Sequence, residues 1–375
     1  MKHLSRVLRQ TLLARGAALV VFASTVVCAA PPAELLDQTH HGVKTAMALQ
    51  SAMTPDLMKW PEVLGSAVGL NEAGQLALVV FVDRDGASHK DVIQALPPAL
   101  GGIPVRAELT DKIRAFAGKP GGGNVGISHT ARQTAPIYLG TSGGWRYDLA
   151  NGYCCGGTLG SLIQVNGVQY ILSNYHVFES DIVSGGNNLI ASDGNPVIQP
   201  GLIDVRCNAN SAQDIGTLVK ISALPYSNVD AAIAQAIPGM VRPDGAILEI
   251  GPLSSQTVAV FLNQAVKKSG RTTGLTRSKV VGLNATILVA YENECAGGAA
   301  FTKTYTGQIV MANNGTKFLN SGDSGSLLVE DTATTPRAAG LLYAGSSTTA
   351  VANPIDEVLQ YIGAMLGGSA SLVGN

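Results

Sequence analysis

The chain has 375 residues, 25 Lys+Arg against 26 Asp+Glu, 46% apolar residues and a mean hydropathy of +0.22. That composition is too apolar and too evenly charged for a disordered chain, and it lacks the basic excess of a dedicated nucleic-acid binder. No apolar run reaches the roughly 18 residues of a spanning helix, which excludes a polytopic membrane protein, while the length accommodates two domains.

Lys2, Arg6, Arg9 and Arg15 precede an apolar run from Ala17 to Val27, followed by Ala29 and Ala30. This order is that of a secretory signal peptide, so residues 1–30 are read as one, with cleavage near Ala29 or Ala30. The run is too short for a stable membrane anchor. Cys28 raises lipidation as an alternative, but Val27 stands where a lipobox has a small residue. Removal takes away four basic residues and no acidic ones, leaving a net charge of −5 on a chain expected in the periplasm or outside the cell. In that compartment Cys154, Cys155, Cys207 and Cys295 read as two disulfides. Adjacent cysteines bond each other only through a strained ring, so Cys154 and Cys155 are expected to pair separately with Cys207 and Cys295. The rival, a zinc site, has no Cys-x-x-Cys spacing behind it.

Residues 31–120 read as a small α+β domain. Leu35, Leu36, Val43, Ala46, Met47 and Leu49 fall largely at helical spacing. Apolar runs at 67–70 and 76–82 flank a polar turn at 71–74, and a short helix over 90–96 precedes a strand over 103–109. Gly121, Gly122 and Gly123 open a linker over 121–134. Beyond it, short β-rich runs at 157–165, 169–173, 215–221, 229–234, 258–262, 285–290, 307–311, 326–329 and 340–344 alternate with Gly, Asn, Asp and Ser turns. That pattern predicts a mainly β sandwich or barrel. Ile355, Val358, Leu359, Ile362 and Met365 predict a helix near the end of a domain spanning 135–366, followed by a tail over 367–375.

Three segments carry chemistry. Asn320-Ser321-Gly322-Asp323-Ser324-Gly325-Ser326 sets a serine between glycines that permit a tight turn. There the N–H groups of Gly322 and Ser324 are natural donors to an oxyanion. In the segment 170–177 an apolar strand delivers His176 at its end, where a general base could face a cleft. In the segment 228–234, Asp230 stands among small and apolar residues, and a buried carboxylate there needs a cationic or hydrogen-bonding partner. Asp204 and Asp214 compete for that role but open no comparably apolar strand. Each segment alone also fits a bland reading: a polar loop, a structural histidine, a turn aspartate.

The order His176, Asp230, Ser324 is the order of the chymotrypsin-like serine proteases. With Gly157-Thr158-Leu159-Gly160, Lys268-Ser269-Gly270-Arg271-Thr272-Thr273-Gly274, Gly340-Leu341-Leu342-Tyr343-Ala344-Gly345-Ser346 and the C-terminal helix, residues 135–365 resemble a bacterial secreted trypsin-fold serine peptidase. The resemblance implies a two-barrel chymotrypsin-like domain and hydrolysis of protein or peptide substrates. His176, Asp230 and Ser324 would form the triad and Gly322 and Ser324 the oxyanion hole; no metal or organic cofactor is called for. It further implies substrate-binding positions at Phe318, Tyr343 and Gly345. Phe318 stands where trypsin-specific relatives have an aspartate, which points to small or apolar side chains rather than Lys or Arg. Three departures stand out: Ser326 replaces the motif's second glycine, no cysteine follows His176, and no Ile-Val-Gly-Gly terminus exists to pair with Asp323. The α+β domain reads as a possible prosegment, with a docking module or a plain appendage as its rivals. A non-catalytic binding protein on the same scaffold, and an esterase using the same serine, are the alternative functions.

Overall fold

The computed structural model describes residues 35–115, 127–150, 153–179, 191–291 and 301–375. The signal peptide, Cys28, Cys295 and residues 121–126 of the expected linker lie outside the described residues. Leu35–Asn375 form one compact unit.

Helix α1 (His41–Leu57) starts where the His40 ring accepts from the amides of Gly42 and Val43. It buries Val43, Ala46, Gln50 and Thr54, one face at three- and four-residue spacing. Strands β1 (Val63–Leu70) and β2 (Leu76–Asp83) form an antiparallel hairpin. Helix α2 (His89–Ala95) and the short β3 (Ala99–Leu100) lead to β4 (Ile103–Thr110), which lies parallel to β2. A two-residue strand, β5 (Arg114–Ala115), follows.

The first barrel begins with β6 (Thr141–Trp145) and a small hairpin, β7 (Leu149–Ala150) and β8 (Tyr153–Cys154). Then come β9 (Gly157–Leu159), β10 (Ser161–Val165), β11 (Val168–Ser173) and one helical turn, α3 (Tyr175–Phe178). The barrel is completed by β12 (Pro196–Gln199), β13 (Gln213–Val219) and β14 (Ala232–Ala236). Gly160 alone separates β9 from β10. Because β9 pairs with β6 and β10 with β11, the order β10-β11-β14-β13-β12-β6-β9 closes on itself.

The second barrel contains β15 (Ala265–Gly270), β16 (Gly274–Tyr291), β17 (Phe301–Ala312), β18 (Leu327–Glu330), β19 (Ala338–Gly345) and β20 (Thr349–Pro354). The order β15-β18-β19-β20-β17-β16 is closed by a direct β15–β16 pairing, giving six strands. Helix α4 (Ile355–Leu366) ends at Gly367, whose φ of +65° is the left-handed stop a glycine supplies without strain. Strand β21 (Ala370–Leu372) then returns to pair with β10.

The expected elements of the N-terminal segment are present, but residues 35–115 are not a separate body. Strand β1 pairs antiparallel with β16, so β1, β2 and β4 extend the sheet of the second barrel. The buried Gln50 side chain donates to the Ser66 hydroxyl (2.8 Å) and accepts from Asn284 (2.8 Å), fastening α1 across that junction. The expected strand at 258–262 is irregular chain, and β15 lies just beyond it, carrying Lys267 and Lys268 inward. The expected tail over 367–375 is tied into the first barrel through β21. Among the described residues no helix is long and apolar enough to cross a membrane.

Candidate active site

His176 sits in α3, immediately after β11, and Asp230 in the extended segment before β14. The two strands are paired, Leu172 opposite Ile233 and Ser173 opposite Ala232, which brings their ends together. His176 Nδ1 lies 2.7 Å from Asp230 Oδ2, and the His176 amide donates to Oδ1 at 3.4 Å. Asp230 is fully buried and His176 nearly so. The aspartate backbone is fixed on both sides: Asn174 Nδ2 donates to its carbonyl (2.7 Å), and its amide donates to Asn353 Oδ1 (2.9 Å). The competitors are engaged elsewhere. Asp204 accepts from the Arg271 guanidinium, with Nε at 2.8 Å, and Asp214 pairs with Arg146.

Ser324 lies on the loop between β17 and β18, and that loop is held against β9. The Thr158 amide donates to the Ser324 carbonyl (2.8 Å) and its hydroxyl to the Gly322 carbonyl (2.9 Å). Gly325, at φ +91°, has room for no side chain: a Cβ there would stand 2.2 Å from the Thr158 carbonyl oxygen. Gly157 lies between Val177 and Ser324, since a Cβ on it would meet Val177 Cγ2 at 2.6 Å and the Ser324 oxygen at 2.9 Å. Thus one short strand spaces the histidine turn from the serine loop. The Ser324 hydroxyl donates to the Tyr343 carbonyl at 3.4 Å. His176 Nε2 is buried without a hydrogen-bond partner among the described residues.

Asp323, beside the serine, has a partner in place of a chain terminus. Its buried carboxylate accepts from the amides of Thr272 (2.8 Å), Thr273 (3.0 Å) and Asn320 (3.0 Å) and from the Thr273 hydroxyl (2.7 Å). Lys268 Nζ stands 3.4 Å away, with both side chains fully buried. Burial draws the Lys268 ammonium below the usual lysine range, and Asp323 opposes that pull. Ser326, the residue in place of glycine, turns its hydroxyl back to the Asp323 carbonyl. Gly270 makes the space, since a Cβ there would stand 2.4 Å from Ser326 Oγ.

The expected substrate-binding residues fall differently. Phe318 is 2% exposed and packs in a core cluster with Val266, Leu328 and Leu342, so its side chain lines no accessible cleft beside Ser324. The apolar interior between barrel and α1 takes up the ring that the resemblance places in a pocket. Tyr343 is fully buried, its ring 4.9 Å from that of Tyr305. Gly345 pairs with Ala350 of β20 on one side and with Arg114 of β5 on the other. Cys154 is bonded to Cys207, and Cys155 is disulfide-bonded as well. Sequence reasoning missed Tyr291, whose hydroxyl donates to Asp230 Oδ2 at 2.8 Å. An aromatic residue ending a long strand carries no signal of that role.

No protein-family model and no curated protein match the chain. Among solved structures it is similar to a glutamic acid specific serine protease described as using a histidine triad in substrate binding (16% identity, 63% of this chain and 100% of that one, TM-score 0.40). It is also similar to Thermobifida fusca protease A (18%, 64% and 99%, 0.39) and to Cellulomonas bogoriensis chymotrypsin (18%, 64% and 99%, 0.36). Similarities this low transfer no function. The two closed six-stranded barrels with a terminal helix define the scaffold as a two-barrel, chymotrypsin-like fold.

Proposed function

We propose that the protein is a secreted serine endopeptidase. Ser324 attacks the peptide carbonyl, His176 takes the hydroxyl proton and returns it to the leaving amine, and Asp230 orients the imidazole. The Gly322 and Ser324 amides stabilise the tetrahedral oxyanion. The observation that carries the reading is the buried His176–Asp230 pair at 2.7 Å, set one strand away from a serine on a glycine-framed loop. A hydroxyl attacking a carbonyl at neutral pH needs such a base, held in one tautomer by a buried acceptor. Incubation of the purified protein with a mixed peptide library and with activated esters is expected to give peptide cleavage that His176→Ala abolishes. Ester turnover alone would indicate an esterase, and neither activity, in the folded parent and in a folded variant with the β5 pairing disrupted, would indicate a binding module.

Residues 31–120 act in this reading as an inhibitory prosegment. The supporting observation is β5, where Arg114 and Ala115 pair antiparallel with Gly345 and Ala344. The next residue back along β19 is Tyr343, whose carbonyl receives the Ser324 hydroxyl. An extended substrate adds a strand to such an edge, and the edge is already taken. Replacing Arg114 and Ala115 together by proline removes both backbone N–H donors of β5, which lies between β19 and β16, and is expected to raise the rate of peptide cleavage about tenfold or more. Equal rates in the variant and the parent would contradict the prosegment reading.

A further inference from the structure

Asp230 meets two donors on one oxygen. Oδ2 receives His176 Nδ1 at 2.7 Å and the Tyr291 hydroxyl at 2.8 Å, whereas Oδ1 receives the His176 amide at 3.4 Å. Tyr291 ends β16 in the second barrel, while His176 and Asp230 belong to the first, so this bond crosses from one barrel to the other. The Tyr291 ring is fixed on two sides: it stacks on Phe301 (4.7 Å between centroids, 7° between planes) and stands edge-on to His176 (6.1 Å). Its hydroxyl is hydrogen-bonded to that of Tyr305, and since the Tyr291 proton goes to Asp230, Tyr305 is the donor. The result is a buried relay from Tyr305 to Tyr291 to Asp230.

We propose that Tyr291 is a positioning residue for the Asp230–His176 pair: its hydroxyl selects the carboxylate oxygen that faces the imidazole and draws charge from it. The inference rests on the peptidase reading. A carboxylate that already accepts a strong hydrogen bond is a weaker partner for an imidazolium. Tyr291 therefore favours the neutral imidazole, the form that acts as base. Ionisable groups near the pair include Tyr305 on β17, Tyr343 on β19, Glu357 on α4 and Lys303, which lies over the Tyr305 ring, with the buried Tyr175 and Glu179 flanking His176 in its own turn and Glu179 accepting from the Ile221 amide. Burial first, and the Asp230 charge next, push the hydroxyls of Tyr291, Tyr305 and Tyr343 far above the ordinary phenol range, so all three stay protonated at every assay pH. Burial also raises Glu357, which accepts from Asn228 and is untouched by a change at Tyr291.

The test is the pH profile of kcat/KM for Tyr291→Phe, which keeps the ring and removes the hydroxyl. With one donor gone, the Asp230 oxygen holds the imidazolium more strongly. The acid limb is expected to move up by about half a pH unit or more, with kcat down about tenfold and KM within about twofold. Tyr305→Phe should shift the limb the same way by a smaller amount. An unmoved acid limb in a folded Tyr291→Phe protein overturns the proposal. Should that variant not fold, an unmoved limb in Tyr305→Phe overturns it. Failure of the peptidase reading looks different: the parent chain itself would then cleave no peptide, or Ser324→Ala would retain full peptide turnover, whatever happens at Tyr291.

Discussion

Ser324→Ala is expected to lower kcat by about four to six orders of magnitude, leaving only the acceleration that binding and the oxyanion donors supply without a nucleophile. The stability of the fold should hardly change. The hydroxyl's bond to the Tyr343 carbonyl is long, at 3.4 Å, and the loop is held by backbone contacts that alanine keeps: the Thr158 amide to residue 324 and the Gly325 amide to Leu342. A variant that melts with the parent but has lost its turnover separates the chemistry from the scaffold. Turnover within tenfold of the parent would remove Ser324 from the mechanism.

The second large effect is expected at Lys268. Removing one partner of a buried ion pair leaves an uncompensated charge, at a cost of about 3–5 kcal/mol. Lys268→Met does this to Asp323, and Lys268 also loses donations to the Gly274 carbonyl (3.0 Å) and the Thr273 hydroxyl. For a protein of this size the melting temperature should fall by about 4–7 °C. Because Asp323 anchors Asn320, Thr272 and Thr273 around the serine loop, the loss extends to activity. The double variant Lys268→Met/Asp323→Asn should recover part of the stability, since a neutral amide keeps an acceptor and removes the charge. Thermal melts of the parent, the single and the double variants check this. A single variant that melts within about 2 °C of the parent would show that the pair contributes little.

How much of this was legible in the sequence depended on how local each signal is. Ser324 and its glycines, and His176 after an apolar strand, are compact patterns, and the hairpin β1–β2 is marked by its polar turn. Strand β15 was legible only through the resemblance of residues 268–274, because its buried residues include Lys267 and Lys268, which pattern alone reads as surface. Their burial is explained by partners distant in the chain: Asp323 for Lys268, and Asp331 with the Thr332 carbonyl for Lys267. Strand β20 was hidden beside the helix start at Pro354, and β21 in what reads as a polar tail. Phe318 reads as a pocket residue by its distance from the serine, but core packing of the loop decided its direction. The union of residues 35–115 with the second barrel depends on β1 meeting β16, a pairing across more than two hundred residues that no local pattern encodes. For the same reason Asn353 and Tyr291, which converge on Asp230 from the second barrel, left no trace in the segments that carry His176 and Asp230.

The measurement that tests the central claim most directly is reaction with a fluorophosphonate probe, followed by mass-spectrometric location of the adduct. It should be run on the parent chain, on the variant with Arg114 and Ala115 replaced by proline, and on Ser324→Ala. The account predicts a single adduct on Ser324, formed faster when β5 is disrupted and absent from Ser324→Ala. No adduct in either protein that retains the serine, or equal labelling of Ser324→Ala, would contradict it.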